Sequence, residues 1–253
     1  MAEQLLCSEL FRQHTITAVF TQRSGGFSPP PFDSFNFGSG LGDSESAIKR
    51  NLNRLVTVAG LESQPHQVIQ VHGNTSYRCS GPGQMHRQEA DILISRDPGT
   101  ALAVRTADCL PVLLADPQNG IIAAVHAGWR GTAAGVVCRA VEEMVTLGAA
   151  QEHIIASLGP CIGPCCFKIG RDAADQLAAS CAGADNCIGD QPELHADLQA
   201  INRLQLLQSG VSAQRVEIFS DCTACDPERF YSYRRDGKNS GRHLGVVALP
   251  STP

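Results

Sequence analysis

Two histidines and one cysteine stand beside apolar runs that predict buried strands. His72 lies in IQVHGNT, Cys109 in TADCLPVLLAD and His126 in IIAAVHAGWRGT. A thiolate and two imidazoles are ligands that zinc accepts, and three protein ligands leave a fourth tetrahedral position for water or substrate, as in catalytic zinc sites. The same spacing also fits hydrogen-bonded histidines at strand ends. The residue types therefore predict a metal site only if the fold brings them together.

A predicted β-hairpin would bring two of them together. Residues 100–117 predict a strand, Asn119-Gly120 favours a tight turn, and a second strand follows up to His126. With a four-residue loop that starts at Asp116, Cys109 lies directly opposite His126, where Cβ atoms are about 4.5–5.5 Å apart. A shift of one residue would separate the two side chains.

The rest of the chain interleaves helices with strands. Short strands are predicted at HIIASLGP, RVEIFS and HLGVVAL. Helices are predicted at residues 46–59, 132–147 with Thr132 as the cap, 171–181 and 193–209. This order indicates a layered α/β (α+β) domain, and the antiparallel hairpin makes its sheet mixed.

Residues 24–44 are rich in Gly, Pro and Ser and predict a loop. The loop also contains four aromatic side chains, Phe27, Phe32, Phe35 and Phe37. We therefore expect it to pack over the body of the protein and to form one wall of a cleft.

Composition excludes several classes of function. The chain has 253 residues, of which 43% are hydrophobic and 18% charged, with a formal net charge of -5. An acidic chain without a Lys/Arg block is a poor nucleic-acid binder, and no apolar run reaches the roughly 20 residues of a membrane span. The N-terminus MAEQLLCSEL carries no signal-peptide pattern, so we expect one soluble, cytoplasmic domain over residues 1–253.

Several phrases carry a family resemblance. QVHG, TADCLPVLLAD, AAVHAGWRGT, LGPCIGP and CTACDPERFYSYRRDGKNSGR closely resemble the signature phrases of the YfiH-like family, and TQRSGGFS and SFNFG resemble its N-terminal motifs. The resemblance covers nearly the whole chain. That family carries two labels, multicopper polyphenol oxidoreductase (laccase) and purine nucleoside phosphorylase.

The resemblance implies a metal, a fold and a substrate class. His72, Cys109 and His126 would bind a single metal ion, zinc or alternatively copper, within a layered α/β/β/α fold related to cysteine-hydrolase-like toxin domains. The substrates would be purine nucleosides and phosphate, with phosphorolysis of adenosine, inosine and methylthioadenosine. A zinc-activated water molecule could also deaminate adenosine. The family often has a glutamate where this chain has Lys168, so any role of that acid does not transfer.

Four further residues are candidates for the reaction. Arg130, at the predicted helix start, could clamp a substrate anion and take part in catalysis, and Arg23 among its glycines is a second anion candidate. A surface ion pair is the alternative for each. Asp108 could orient a histidine or act as an acid or base, unless it faces away from the metal. Asn36 could bind a ribose hydroxyl or simply form a turn.

Two other chemistries stay open. A multicopper oxidase needs many histidines, whereas this chain has 8 and no His-x-His pair. Four of the eight, His14, His66, His86 and His153, are predicted to lie at the surface. Alternatively, Cys109 and His126 could be the nucleophile and base of a cysteine hydrolase or amidase that edits cell-wall precursors.

The chain has 11 cysteines. Cys222-x-x-Cys225 together with Cys161, Cys165 and Cys166 could form a second, structural zinc site. The irregular spacing of the second group instead favours thiols within the core. Nothing in the sequence distinguishes a monomer from a homodimer.

Overall fold

A computed structural model describes residues 5–190 and 192–251, which contain fourteen strands and seven α-helices. The strands are β1 (Leu5–Cys7), β2 (Thr17–Thr21), β3 (Gln67–Ile69), β4 (Ser76–Arg78), β5 (Met85–Glu89), β6 (Ile92–Ser95), β7 (Ala101–Thr106), β8 (Leu110–Asp116), β9 (Ile121–Ala127), β10 (Ile155–Leu158), β11 (Ile188–Gly189), β12 (His195–Ala196), β13 (Val216–Ile218) and β14 (His243–Ala248). The helices are α1 (Glu9–Arg12), α2 (Glu45–Val58), α3 (Trp129–Ala133), α4 (Val136–Thr146), α5 (Arg171–Ala178), α6 (Leu198–Gln208) and α7 (Tyr233–Asp236).

Two larger sheets form the centre of the fold. One has four strands in the order β1-β2-β14-β7, and the other has six in the order β13-β10-β8-β9-β6-β4. The six-stranded sheet is mixed, because β13 runs parallel to β10 and β4 parallel to β6 while the other neighbours are antiparallel. The prediction of a mixed sheet is confirmed.

The sheets pack face to face, and helices cover their outer faces. The apolar cluster between the sheets includes Phe20, Leu102, Val104, Leu113 and Ile122. Helix α2 packs through Leu55 on the outside of the four-stranded sheet, while α4 and α6 pack on the outside of the six-stranded sheet. The layers therefore follow the predicted α/β/β/α order.

This layering explains the continuous apolar runs of β7, β8 and β9. Successive side chains of a strand point to opposite faces. In β7, Leu102 and Val104 enter the cluster between the sheets, whereas Ala101 and Ala103 face α2. Strands buried on both faces lose the polar alternation of half-exposed strands.

The prediction of a single strand over residues 100–117 is wrong, because this segment forms two strands that belong to different sheets. Strand β7 belongs to the four-stranded sheet and β8 to the six-stranded sheet. The chain crosses between them at residues 107–109, where Asp108 has a φ of 85°. Both strands are apolar on both faces, so the hydrophobic pattern does not reveal the break.

The predicted hairpin forms, but its register differs. Strand β8 pairs antiparallel with β9, and Pro111 rather than Cys109 lies opposite His126. The shift is two residues, because the loop lies between Asp116 and Ile121. A two-residue shift keeps the same face of the strand, which is why Cys109 still reaches the side of His126.

Two predicted helices begin elsewhere. Thr132 is no cap, because α3 begins after Gly128 and the Thr132 hydroxyl is buried, where it accepts a hydrogen bond from Asn202. A left-handed Gly135 then separates α3 from α4. The helix predicted at 193–209 begins only after Asp197, whose carboxylate caps α6.

The aromatic loop packs as predicted. Phe32, Phe35 and Phe37 are buried, and only Phe27 of the four is exposed. Gly38 and Leu41 from this loop line the main cavity of the molecule, which makes the loop a wall of that cavity. In the part of the chain that the structure describes, no helix is long and apolar enough to cross a membrane.

Candidate active site

The fold brings His72, Cys109 and His126 to one point. Their potential ligand atoms all lie within 4.8 Å of one another. Cys109 Sγ is 3.9 Å from His72 Nε2, and the imidazole rings meet edge to face with centroids 4.8 Å apart. Zinc bond lengths of 2.3 Å to sulfur and about 2.0–2.1 Å to nitrogen imply a sulfur–nitrogen separation of about 3.5 Å in a tetrahedral site. The donor set and its spacing therefore fit one divalent metal ion.

A buried carboxylate that the sequence analysis missed orients this centre. Asp91 is fully buried, and its Oδ1 lies 2.7 Å from His126 Nδ1. A carboxylate on the far nitrogen fixes the ring and leaves Nε2 for a metal, the usual arrangement of metal-binding histidines. Burial would raise the pKa of Asp91, but hydrogen bonds from His126 and Gly73 lower it below its ordinary value.

The same carboxylate also fixes the backbone of His72. The N–H groups of Val71, His72 and Gly73 donate to Asp91 at 3.2, 3.0 and 2.7 Å. His72 has a φ of 62°, a left-handed conformation that costs a non-glycine residue free energy. The three hydrogen bonds compensate this cost, so one carboxylate positions two of the three candidate ligands.

Gly128 provides the space that the ligands occupy. A Cβ atom at this position would lie 2.8 Å from His72 Cδ2 and 3.2 Å from Cys109 Sγ. Any larger residue would therefore push against both side chains. Gly128 therefore makes space for the candidate ligands themselves.

The electrostatics of the centre favour a thiolate. Burial would raise the pKa of Cys109, but the positive charge and hydrogen bond of His126, together with those of His72, lower it to about 6. Burial would lower the pKa of His126, but the Cys109 thiolate and the Asp91 carboxylate raise it to about 9. The thiolate is the form of cysteine that binds metals and attacks carbon.

The three residues open into a cavity of about 590 Å³. This volume lies within the range of small-molecule sites. Its apolar lining includes Leu41, Ile69, Ile162, Phe167 and Tyr233. Three arginines, Arg105, Arg234 and Arg242, also line it.

The sequence did not mark these arginines as anion candidates, yet all three bring positive charge to the cavity. Among residues 5–190 and 192–251, none of the guanidinium groups of Arg105, Arg234 and Arg242 lies within 4.0 Å of a carboxylate oxygen. Their guanidinium groups donate instead to neutral oxygens, such as those of Val68, Lys168 and Ser240. Burial, followed by the charge of the neighbouring Arg242, lowers the pKa of Arg105. A cavity with this charge attracts an anion.

Asp108 lines the same cavity, but both of its carboxylate oxygens are occupied. Oδ1 accepts a hydrogen bond of 2.7 Å from the Thr223 hydroxyl, and Oδ2 accepts one of 2.6 Å from the backbone N–H of Arg234. The carboxylate that contacts a ligand histidine is Asp91. Asp108 thus fixes the sharp turn that presents Cys109.

The other three predicted substrate residues lie outside the cavity lining. Arg23 pairs with Asp33 and donates to the carbonyl of Pro227. Asn36 is buried, and its carbonyl accepts from the backbone N–H of Gly38 and Arg242, so that it supports two residues that do line the cavity. Arg130 is exposed, with its guanidinium 4.3 Å from the Trp129 ring.

Two other predictions change. His66 and His86 were predicted to lie at the surface, but His66 is buried and its Nδ1 is 2.7 Å from Nε2 of the partly buried His86. The prediction is wrong for this pair because the two imidazoles pack against each other and His66 Nε2 lies 3.1 Å from the Gly81 carbonyl oxygen. Lys168 forms an exposed ion pair with Glu193.

A layered α/β/β/α fold with two imidazoles and a thiolate at the junction of its sheets defines a class of candidate metalloenzyme. The chain belongs to the family described as multi-copper polyphenol oxidoreductase laccase, whose model matches residues 17–250. The resemblance to YfiH-like proteins is thereby confirmed. Membership alone does not decide between the two activities that the family's labels name.

Curated relatives and solved structures share this architecture along nearly the whole chain. The purine nucleoside phosphorylase YfiH of Shigella flexneri is 39% identical over 238 residues, which cover 92% of this chain and 94% of the relative. A purine nucleoside phosphorylase of Pseudomonas aeruginosa is 38% identical over 92% and 93% of the two chains. The crystal structure of the hypothetical protein YfiH of Bacillus licheniformis matches with a TM-score of 0.89 at 28% identity, over 98% of this chain and 97% of the other.

Proposed function

We propose that this protein is a metal-dependent purine nucleoside phosphorylase that acts on adenosine, inosine and methylthioadenosine. The observation that carries this proposal is the combination, in one cavity, of a His–Cys–His ligand set and three arginines whose guanidinium groups form no ion pair within the described residues. The names of the curated relatives support the same reaction.

Phosphorolysis requires a bound phosphate beside the sugar. A phosphate oxygen forms a bond to C1′ of the ribose, the C1′–N9 bond breaks, and the purine leaves with the bonding electrons and a proton. Arg105 and Arg242 are close enough that the charge of one lowers the pKa of the other. A phosphate between them would relieve this repulsion, and planar guanidinium groups suit bidentate phosphate binding.

The apolar part of the cavity suits a purine base. Phe167 and Tyr233 each lie near an arginine, with Arg234 5.4 Å from the Phe167 ring and Arg242 5.6 Å from the Tyr233 ring. Tyr233 is 52% exposed and Ile69 42% exposed, although both belong to the cavity lining. Exposed apolar side chains at the mouth of a cavity indicate a surface on which a flat ligand can stack.

His72, Cys109 and His126 would hold the metal, and zinc is the ion we propose. When bound, such an ion would supply Lewis-acid stabilisation of negative charge next to the anion site. Asp91 keeps the two histidines in place, and Asp108 with Thr223 fixes the turn that carries Cys109. We also propose that the reaction takes place in the cytoplasm, because thiolate ligands persist in a reducing compartment.

Adenosine deamination and laccase chemistry are two further candidate activities of the same site. Deamination of adenosine would use the same ligands, and the same assay detects it. Laccase chemistry is a weaker candidate, because in the part of the chain that the structure describes no cluster of possible ligands holds more than two histidines. A blue-copper centre does use two histidines and one cysteine, so copper remains a possible ion at the site.

A cysteine hydrolase is the second candidate, favoured by the contact between Cys109 and His72 and the closeness of His126. A nucleophilic cysteine needs a neighbouring base in this arrangement. The two candidates respond oppositely to reagents. A chelator abolishes metal-dependent phosphorolysis until zinc is restored, whereas a thiol nucleophile tolerates the chelator.

The direct experiment incubates purified protein with inosine or adenosine, with and without phosphate, and separates the products. We expect hypoxanthine or adenine to appear together with ribose 1-phosphate only when phosphate is present. Conversion of adenosine to inosine and ammonia without phosphate would indicate deamination instead. Absence of both products from zinc-loaded protein would contradict the proposal.

Arginine variants test the anion site. Arg105→Gln and Arg242→Gln should each raise the KM for phosphate by about 10-fold, because each removes one charge-assisted contact. The exposed Arg12→Gln, in α1, serves as the matched control. If Arg130→Gln raises the phosphate KM and the two cavity variants do not, the sequence-based assignment of Arg130 is right and the cavity assignment wrong.

A further inference from the structure

Four cysteine side chains converge at a second place in the fold. The sulfur atoms of Cys165, Cys166, Cys222 and Cys225 all lie within 4.8 Å of one another. Cys225 Sγ is 3.5 Å from Cys165 Sγ and 3.3 Å from Cys166 Sγ. We call these residues the four-cysteine cluster.

The spacing of the cluster fits a tetrahedral thiolate site. Four sulfurs at 2.3 Å from a zinc ion are separated by about 3.8 Å. The two measured separations are slightly shorter than this value, and all the others stay within 4.8 Å. They are far longer than the roughly 2.0 Å of a disulfide bond.

The backbone around Cys222 adds a second, independent feature. The N–H of Gly163 donates to Cys222 Sγ at 3.2 Å, and the N–H groups of Ala224 and Cys225 also bond to that sulfur. Turns of the Cys-x-x-Cys type direct N–H groups at a sulfur, and such bonds stabilise a negatively charged thiolate. The sequence CTAC at 222–225 provides this turn.

We propose that Cys165, Cys166, Cys222 and Cys225 bind a structural zinc ion, separate from the ion at His72, Cys109 and His126. All four positions of a tetrahedral ion would be filled by protein, which is the pattern of structural rather than catalytic zinc. Our sequence-based preference for thiols in the core is wrong here, because Cys165 and Cys225 are exposed. Cys161, which we grouped with them, is buried and lies outside the cluster.

The ion would join two loops that support the cavity. One loop follows β10 and carries Ile162 and Phe167, both part of the cavity lining. The other follows β13 and carries Thr223, whose hydroxyl holds Asp108. The loops already touch, since Thr223 N–H donates to the Cys161 carbonyl at 2.9 Å. Zinc at the cluster would therefore stiffen the cavity wall and contribute to the stability of the fold.

The test begins with Cys109→Ser, which leaves the four-cysteine cluster intact. This variant, loaded with zinc alone and freed of excess metal, should retain one equivalent of zinc. X-ray absorption at the zinc edge should fit four sulfur ligands. Retention of no zinc, or of zinc with nitrogen ligands, would overturn the proposal.

The reciprocal variant is the double substitution Cys222→Ser with Cys225→Ser. It should lose one equivalent of zinc relative to the parent chain, and its Tm should fall. Cys7→Ser, an exposed cysteine on β1, is the control and should change neither quantity. An unchanged zinc content in the double variant would overturn the proposal, and the Cys109→Ser result decides the matter even if the double variant does not fold.

Discussion

The His–Cys–His centre and the four-cysteine cluster differ in how their ligands are held. In the first, three side chains come from distant segments, and the buried Asp91 positions both histidines. In the second, four sulfurs come from two neighbouring loops with backbone N–H groups around one of them. Only the first set lies in the lining of the cavity that also contains three arginines.

This difference separates two uses of similar ligands. A set of three donors facing a cavity leaves room for a reacting molecule, whereas four thiolates close the coordination sphere. Damage to the first set should therefore reduce turnover, and damage to the second should reduce stability.

The largest effect is expected from replacing one cysteine by serine in the His–Cys–His centre and one in the four-cysteine cluster. Cys109→Ser should lower the phosphorolysis rate by more than about 100-fold with little change in Tm, because even the loss of residues that merely support metal ligands costs 10–100-fold. Cys222→Ser should give the opposite pattern, a lower Tm with a smaller loss of rate. Steady-state kinetics and calorimetry on both variants provide the measurement. Equal changes of rate and Tm in the two variants would contradict the distinction between a catalytic and a structural site.

Replacing Asp91 with asparagine tests whether the negative charge of the carboxylate, rather than the shape of the side chain, positions the histidines. Asp91→Asn should weaken zinc affinity at the His–Cys–His centre by about 10–100-fold, since the amide is a poorer acceptor for the His126 ring and for the backbone around His72. Competition with a coloured chelator measures this affinity. Asp116→Asn is the comparison, and it should leave zinc affinity much less changed, because Asp116 lies at the loop end of the hairpin and accepts hydrogen bonds from Gln118, Asn119 and Ala150.

A single methyl group should act on the His–Cys–His centre alone. Gly128→Ala places a Cβ within 2.8 Å of His72 and should weaken zinc affinity by about 10-fold, the lower end of the effect of disturbed ligand positioning. Gly189→Ala is the matched control, since nothing lies within 4 Å of a Cβ at that position. Equal zinc affinities in the two variants would show that the ligands adjust to the methyl group.

The smallest effect concerns the hairpin that carries the ligand strands. Asp116 is buried and accepts hydrogen bonds from Gln118, Asn119 and Ala150. Burial would raise its pKa, but the hydrogen bonds from Asn119 and Ala150 lower it below the ordinary value of 3.8. Asp116→Asn should lower the free energy of unfolding at pH 7 by about 1 kcal/mol, because the amide keeps one of the two acceptor oxygens.

The sign of the pH dependence follows from that lowered pKa. The ionised carboxylate stabilises the folded state fully above its unfolded pKa and loses this effect as the pH falls through the folded value. The stability difference between the parent chain and Asp116→Asn should therefore shrink below about pH 4. Denaturant unfolding at several pH values measures it, and a difference independent of pH would contradict the assignment.

The local patterns of the sequence predicted a layered domain and a shared site for His72, Cys109 and His126, whereas the α/β/β/α order was implied by the resemblance to YfiH-like proteins. Each ligand borders an apolar run, and alternating helices and strands specify layers. The predicted hairpin register differs from the observed one by two residues. Cys109 nevertheless lies on the side of His126, because a two-residue shift keeps a side chain on the same face of the sheet. Gly128 follows His126 closely in the sequence, but the side chains for which it makes room are visible only in three dimensions.

The rest depends on contacts between distant segments. Asp91 in EADILIS resembles any acid before a strand, and only folding brings it to His126, 35 residues away. Arg105 and Arg242 are 137 residues apart in the chain and meet because β7 pairs with β14. Arg130 was favoured because it stands next to a ligand in sequence, yet its side chain lies at the surface.

The crossing of the chain between the two sheets at residues 107–109 has a consequence for thermal behaviour. Cys109 is anchored to one layer through β7 and to the other through β8. Any sliding of one layer past the other would displace this sulfur from the two imidazoles before either sheet lost its own hydrogen bonds. Metal release on heating should therefore report the loosening of the sandwich earlier than a loss of secondary structure does.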